Sequence, residues 1–180
     1  MKLALKRAED PVVEVPTIIG TPFEGGYYFG RILIGIVPYA IILPPKAARY
    51  SRRPLSWNEK LASVPGALSY VDGLANTKAM AEAGSKLGQW ALDQRIDAKD
   101  DWYIPSRQDA LIVHANMQYA SEEWLRDGGT EDFETEWIWL STQRRQDSNE
   151  AWAMSLSNGG HATCNKDQAF RSFVVRRVRI

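Results

Sequence analysis

A chain of 180 residues with 44% hydrophobic and 24% charged residues has the make-up of an ordinary globular protein, long enough to bury a core without covalent staples. Its 22 Lys and Arg balance 22 Asp and Glu, so the basic excess of proteins that live on phosphate backbones is lacking, which argues against nucleic acid as a partner. A single cysteine, Cys164, excludes an intramolecular disulfide and points to folding in a reducing cytoplasm. The opening residues hold too short an apolar run for a signal peptide. The apolar stretch at 32–43 is broken by Gly35 and Pro38, so no membrane insertion is expected.

Residues 1–20 carry charges and two prolines without periodicity and read as an extended N-terminal arm, which could dock on a neighbouring subunit. Gly25-Gly26 then opens a run of aromatic and β-branched residues at 27–34, a turn at 35–38 and a return strand at 39–43, ended by Pro44-Pro45. The stretch 46–68 is irregular, with Trp57 as an anchor into the core. Apolar residues at three- and four-residue steps predict one helix over 72–96, capped by Asp72, with Lys78, Glu82 and Lys86 spaced along its exposed side. A second, shorter helix is expected over 107–117, opened by a capping box in which Ser106 is the cap and Asp109 replaces the usual Glu. An acidic loop follows, containing Glu122, Glu123, Asp127, Glu131, Asp132, Glu134 and Glu136. The remainder reads as β-structure: strands at 137–142 and 151–156, a hairpin turn at Ser157-Asn158-Gly159-Gly160, and a closing strand at 171–180.

Four segments in the last eighty residues resemble the Lcl C-terminal-domain family. Trp102-Tyr103-Ile104-Pro105-Ser106 with Asp109-Ala110-Leu111 is similar to its "W-x-L-P-[ST]-x-x-E-L" segment. Trp137-Ile138-Trp139-Leu140-Ser141-Thr142-Gln143 is similar to its "Y-W-[ST]-S-T-E" strand, and Ala151-Trp152 with Ser157-Asn158-Gly159 to its "A-W…F-x-[DN]-G" hairpin. Val175-Arg176-Arg177-Val178-Arg179 resembles its closing "V-R-x-V-R" strand. Gly25-Gly26-Tyr27-Tyr28 and the stretch from Asp72 to Ser85 extend the likeness to the leader of phage-borne members. The resemblance implies an α+β, C-type-lectin-like fold over residues 21–180, with mixed, mostly antiparallel strands, two helices and long loops displayed at one end. It also implies a bacteriophage or prophage setting: a protein made in the host cytoplasm, assembled into the virion beside other virion proteins, and homo-oligomeric. In related proteins the displayed surface meets a host-cell receptor or polysaccharide. The "E-P-N" and "W-N-D" triplets of calcium-dependent sugar-binding lectins are missing here.

Catalysis has little to work with. His161 and Cys164 stand three apart beside a Gly-Gly turn, but a metal would want more ligands than these two, and His114 reads as a packed histidine. The acidic loop lacks the D-x-D-x-D-G spacing of an EF-hand. No catalytic residue, metal site or cofactor is therefore expected. Ligand binding is expected on Trp139 and Trp124 and on Gln143, Arg144, Arg145 and Asn149 in the wholly polar connection between two strands, because loops on a rigid scaffold carry specificity. Within this family Trp102, Trp137 and Trp152 are expected in the core. Two roles follow: a tail-fibre or tail-tip protein for host adsorption, or a structural virion component such as a capsid decoration or tail-assembly protein.

Overall fold

The computed structural model describes residues 14–126 (backbone alone for 121–126), 131, 133 and 136–180. A short strand β1 (Pro22–Phe23) lies along the start of β2 (Gly26–Ile34), which pairs with β3 (Val37–Leu43) around a tight turn at Gly35 and Ile36. This is the hairpin that the β-branched and aromatic runs predict, with a bulge between Tyr28 and Arg31. Of the expected arm, residues 1–13 lie outside the described residues. Val15 and Ile19 pack half-buried on the core, and Gly20 donates its N–H to the Tyr28 carbonyl at 2.9 Å, so the last third of the arm is part of the chain's own fold.

A one-turn helix α1 (Lys46–Arg49), a short strand β4 (Leu55–Ser56) and a 3-10 turn at Pro65–Ala67 occupy the irregular stretch. The helix expected over 72–96 is in fact two, α2 (Gly73–Glu82) and α3 (Lys86–Leu92). The break is a Schellman stop. Gly84 takes φ +83°, Ser85 N–H reaches the Met80 carbonyl at 2.9 Å, and Gly84 N–H reaches that of Ala81 at 2.9 Å. Ser85 then caps α3, accepting from Gly88 N–H at 3.1 Å, while its hydroxyl donates to the Trp57 carbonyl. Asp72 caps α2 as expected, accepting from Ala75 N–H at 3.0 Å. The stop also parts Glu82 from Lys86, whose ammonium pairs with Glu59 instead, at 2.7 Å.

Helix α4 (Arg107–Arg126) starts on the expected capping box: Asp109 N–H donates to Ser106 Oγ at 3.2 Å, and Ser106 N–H donates back to Asp109 Oδ2 at 2.9 Å. Burial drives the Asp109 carboxyl up to about 6, against the opposing pull of the two Ser106 hydrogen bonds. The helix outruns the expected 107–117 because neither glycine nor proline interrupts it before Gly128. Glu122, Glu123 and Trp124 are consequently helical, and of the expected acidic loop Asp127, Asp132 and Glu134 lie outside the described residues. Four α-helices are present among the described residues, where two were expected.

Strands β5 (Trp137–Gln143), β6 (Glu150–Ser155) and β7 (His161–Asn165) form an antiparallel meander, its second hairpin turning at Ser157–Gly160 as the sequence predicts. Strand β8 (Ala169–Phe170) pairs with β4, and β9 (Arg176–Arg179) lies antiparallel to β3, so the first sheet runs β1-β2-β3-β9. The closing strand is shorter than the expected 171–180, since Phe173 and Val175 make only single bridges, to Tyr50 and Tyr103. The protein is thus mixed α+β with mostly antiparallel strands. The meander divides two cores. Trp139, Ala151 and Ala153 face a cluster with Trp57, Met80, Leu87 and Trp102. Ile138, Leu140 and Met154 face a second cluster with Ala110 and Val113 of α4. A sheet covered on both faces is the condition that matters most for the site.

Candidate functional site

That double cover relocates two of the residues expected to bind ligand. Trp139 is fully buried, its indole N–H donating to the Leu55 carbonyl at 3.1 Å and its ring edge-on to Phe170 at 4.8 Å. Gln143 is buried as well. Its Oε1 accepts from Val64 N–H at 2.7 Å and from the Lys166 ammonium at 2.6 Å. Lys166 also donates to the Ala62 carbonyl at 2.7 Å and stands 4.5 Å over the Trp57 ring, and burial lowers it to about 8. Neither Trp139 nor Gln143 is available to a partner. Arg145 and Asn149 are exposed as expected, while Arg144 is half-buried, ion-paired with Glu150 and 3.5 Å from Thr163 Oγ1. Trp124 belongs to the part of α4 whose side chains lie outside the described residues. Trp102 is core as expected. Trp137 is not, at 40% exposure, and Trp152 is half-buried.

Trp152 belongs to a different assembly. Strand register puts Glu150, Trp152 and Met154 on one face of β6, opposite Asn165, Thr163 and His161 of β7. The N-terminal half of α4 crosses this face and brings Arg107, with His114 two turns further along the same side. The Arg107 guanidinium lies 3.6 Å from the centroid of Trp152 and 4.8 Å from that of Tyr70, so it is sandwiched between two rings. Each contact contributes about 0.5–1 kcal/mol at a half-exposed site, comparable to or above an exposed ion pair. Its Nε–H donates to His161 Nδ1 at 3.3 Å, and no carboxylate ion-pairs with it among the described residues. His114 packs on the hairpin turn, where Gly159 takes φ +72° and any Cβ would come within 2.6 Å of His114 Nε2.

Three polar atoms of this assembly are buried without a hydrogen-bond partner among the described residues: His114 Nδ1, Trp152 Nε1 and His161 Nε2. An unpaired buried donor or acceptor costs about 1–3 kcal/mol, so three in one place mark it out from the rest of the fold. The assembly borders solvent through Tyr70 and the edge strand β7, and Arg144, Glu150 and Thr163 continue the same face. Tyr70, Arg107, Trp152 and His161 were not singled out for binding in the sequence. The signal was present only as the two-residue alternation of β6 and β7 and the seven-residue step from Arg107 to His114, and it means something only once the helix is laid on the sheet.

The chemistry open to this surface is contact by the half-buried Arg107 guanidinium and by the accessible parts of the Tyr70 and Trp152 rings. His161 and Cys164 do not make a dyad. His161 faces α4, whereas Cys164 lies against the opposite core, where burial and then Glu150 push its thiol up. Among the described residues no group of three or more His, Cys, Asp or Glu could hold a metal ion. No described helix is long and apolar enough to cross a membrane. Protein-family models, curated proteins and solved structures give no significant match to the chain.

Proposed function

We propose that this chain is a non-enzymatic bacteriophage virion protein, a tail-fibre or tail-tip component whose C-type-lectin-like domain recognises a host-cell receptor or polysaccharide. The viral setting and the lectin-like fold rest on the four motifs, and the mixed α+β architecture with mostly antiparallel strands is compatible with them. The recognition role rests on one observation, the partly exposed Tyr70–Arg107–Trp152 stack beside the edge strand β7. The surface is moved accordingly from Trp139 and Gln143 to this stack, with Arg144, Arg145 and Asn149 at its margin.

Adsorption of purified protein to host cells or their polysaccharide tests this reading. Arg107→Ala is expected to weaken binding by about 1.5–2 kcal/mol, roughly ten- to thirty-fold, as removal of a central arginine does, while far-UV circular dichroism stays unchanged. Arg144→Ala, at the rim, is expected to lose no more than a few-fold. Absence of any adsorption by the unmodified protein would sink the proposal.

One observation favours the second reading, a structural virion component. At the tip of the β2–β3 hairpin Ile36 is 95% exposed and Leu33 63%, beside a groove lined by Ile32, Pro38, Val71 and Ile112. Exposed apolar surface of this kind is commonly spent on a subunit contact. Ile36→Asp is expected to leave a soluble, folded chain that no longer enters particles, and normal incorporation would remove this reading. Truncation tests should stop at residue 13, because Val15 and Ile19 pack on the core.

A further inference from the structure

The contact that positions Arg107 depends on a single lone pair. A guanidinium has five N–H donors and no acceptor, so Arg107 Nε–H can bond to His161 Nδ1 only while that nitrogen is unprotonated. Protonation would turn Nδ1 into a donor facing a donor and set an imidazolium against a cation already 3.6 Å from the Trp152 centroid. The surroundings offer no relief. From α4 the charged or titratable groups facing His161 are Arg107 and His114, and Tyr70 closes the far side of the stack. On the sheet face itself the nearby carboxylate is Glu150, and it is held by Arg144. Burial first, then Arg107, then His114 lower the His161 pKa below its ordinary value.

We infer that the Arg107–His161 contact is a proton-operated latch on the recognition surface: closed with a neutral His161, and opened when that ring is protonated so that Arg107 leaves the Tyr70–Trp152 sandwich. This rests on the reading of the stack as the recognition surface. The latch alters the surface without unfolding the domain, because Arg107 and His161 are both only half-buried. Its sign follows from linkage. A histidine whose folded pKa is depressed contributes stability that is fully present above its unfolded value, roughly 6.5, and is lost as pH falls below it. Adsorption should weaken in the same direction, by about as much as Arg107→Ala, since both remove the guanidinium from between the rings.

Nuclear magnetic resonance of the full chain, titrated from roughly pH 8 to 5, tests it by following the Arg107 Nε–H and His161 ring signals. The expected result is one shared midpoint below that of a free histidine, with the Trp152 indole signal moving alongside. His161→Gln supplies a carbonyl acceptor that gains no proton, so the Arg107 and Trp152 signals should stay fixed across the range. His114→Gln should raise the His161 midpoint, because the lowering influence of His114 is removed. An Arg107 Nε–H signal that does not follow the His161 titration in the unmodified protein would overturn the latch, as would an Arg107 transition that persists in His161→Gln. Adsorption measured over the same range separates the two ideas. Coupled signals with no adsorption at any pH would leave the latch and remove the recognition reading, whereas adsorption indifferent to pH despite coupled signals would remove the regulation alone.

Discussion

Trp139→Ala is expected to destabilise the fold by about 3–5 kcal/mol, the usual result of emptying a fully buried indole site. In a chain of this length that corresponds to a fall in the thermal midpoint on the order of 10 °C. Three effects add. The ring fills the space between the meander and the core that holds Trp57, Met80 and Leu87. It meets Phe170 edge-on, which ties the meander to the β4–β8 pair. Its N–H donates to the half-buried Leu55 carbonyl, and loss of that hydrogen bond adds about 0.5–1.5 kcal/mol. Trp139→Phe keeps much of the apolar contact and loses the hydrogen bond, so it should fall between the two. Thermal or denaturant unfolding decides the matter, and an unchanged midpoint in Trp139→Ala would mean that the ring is not seated as described. Any loss of adsorption in that variant would reflect lost folding, which is why it is unsuitable as a probe of binding.

The second large effect is expected at Arg49. This guanidinium is wholly buried, donates to the Pro44 carbonyl at 3.1 Å and to the Glu131 carbonyl at 3.1 Å, and pairs with the Glu131 carboxylate at 2.8 Å. The Phe133 ring covers it at 4.7 Å. Burial alone lowers its pKa, and the negative potential of Glu131 is among the influences that hold the charge in place. Arg49→Met fills much of the volume but leaves the Glu131 carboxylate without its counter-charge, and removing one partner of a buried pair costs about 3–5 kcal/mol. The expected readout is a lowered denaturant midpoint with an unchanged slope. Arg49→Met, Glu131→Gln together should recover part of the loss, since the unpaired charge goes with its partner. A single variant as stable as the parent would show that the pair contributes nothing.

Several local features were legible in the residues alone. The Ser106–Asp109 capping box, the Asp72 cap, the N-terminal hairpin and the Ser157–Gly160 turn all depend on contacts within a few residues, and each forms as its sequence predicts. The helix break at Gly84 was equally local. A glycine followed by serine is both a stop and a cap, and the apolar period running through it concealed the pair. The extension of α4 past residue 117 could also have been inferred from the lack of a breaker.

Burial on the meander was another matter. The alternation in Trp137–Gln143 assigns residues to two faces but does not say whether one face or both will be covered. With α2 and α3 on one side and α4 on the other, Trp139 and Gln143 become interior, while Trp137, at the strand's start, keeps 40% of its surface. Composition and spacing determined that this chain folds with a real core, which short segments turn, cap and pair, and that one polar connection carries Arg144, Arg145 and Asn149. Tertiary structure alone decided which tryptophans face solvent, and it alone brought Tyr70, Arg107, Trp152 and His161 together across more than ninety residues of sequence. The physical reason is range: caps and turns are satisfied by neighbours in the chain, whereas burial and stacking depend on whatever distant surface the fold lays against a residue.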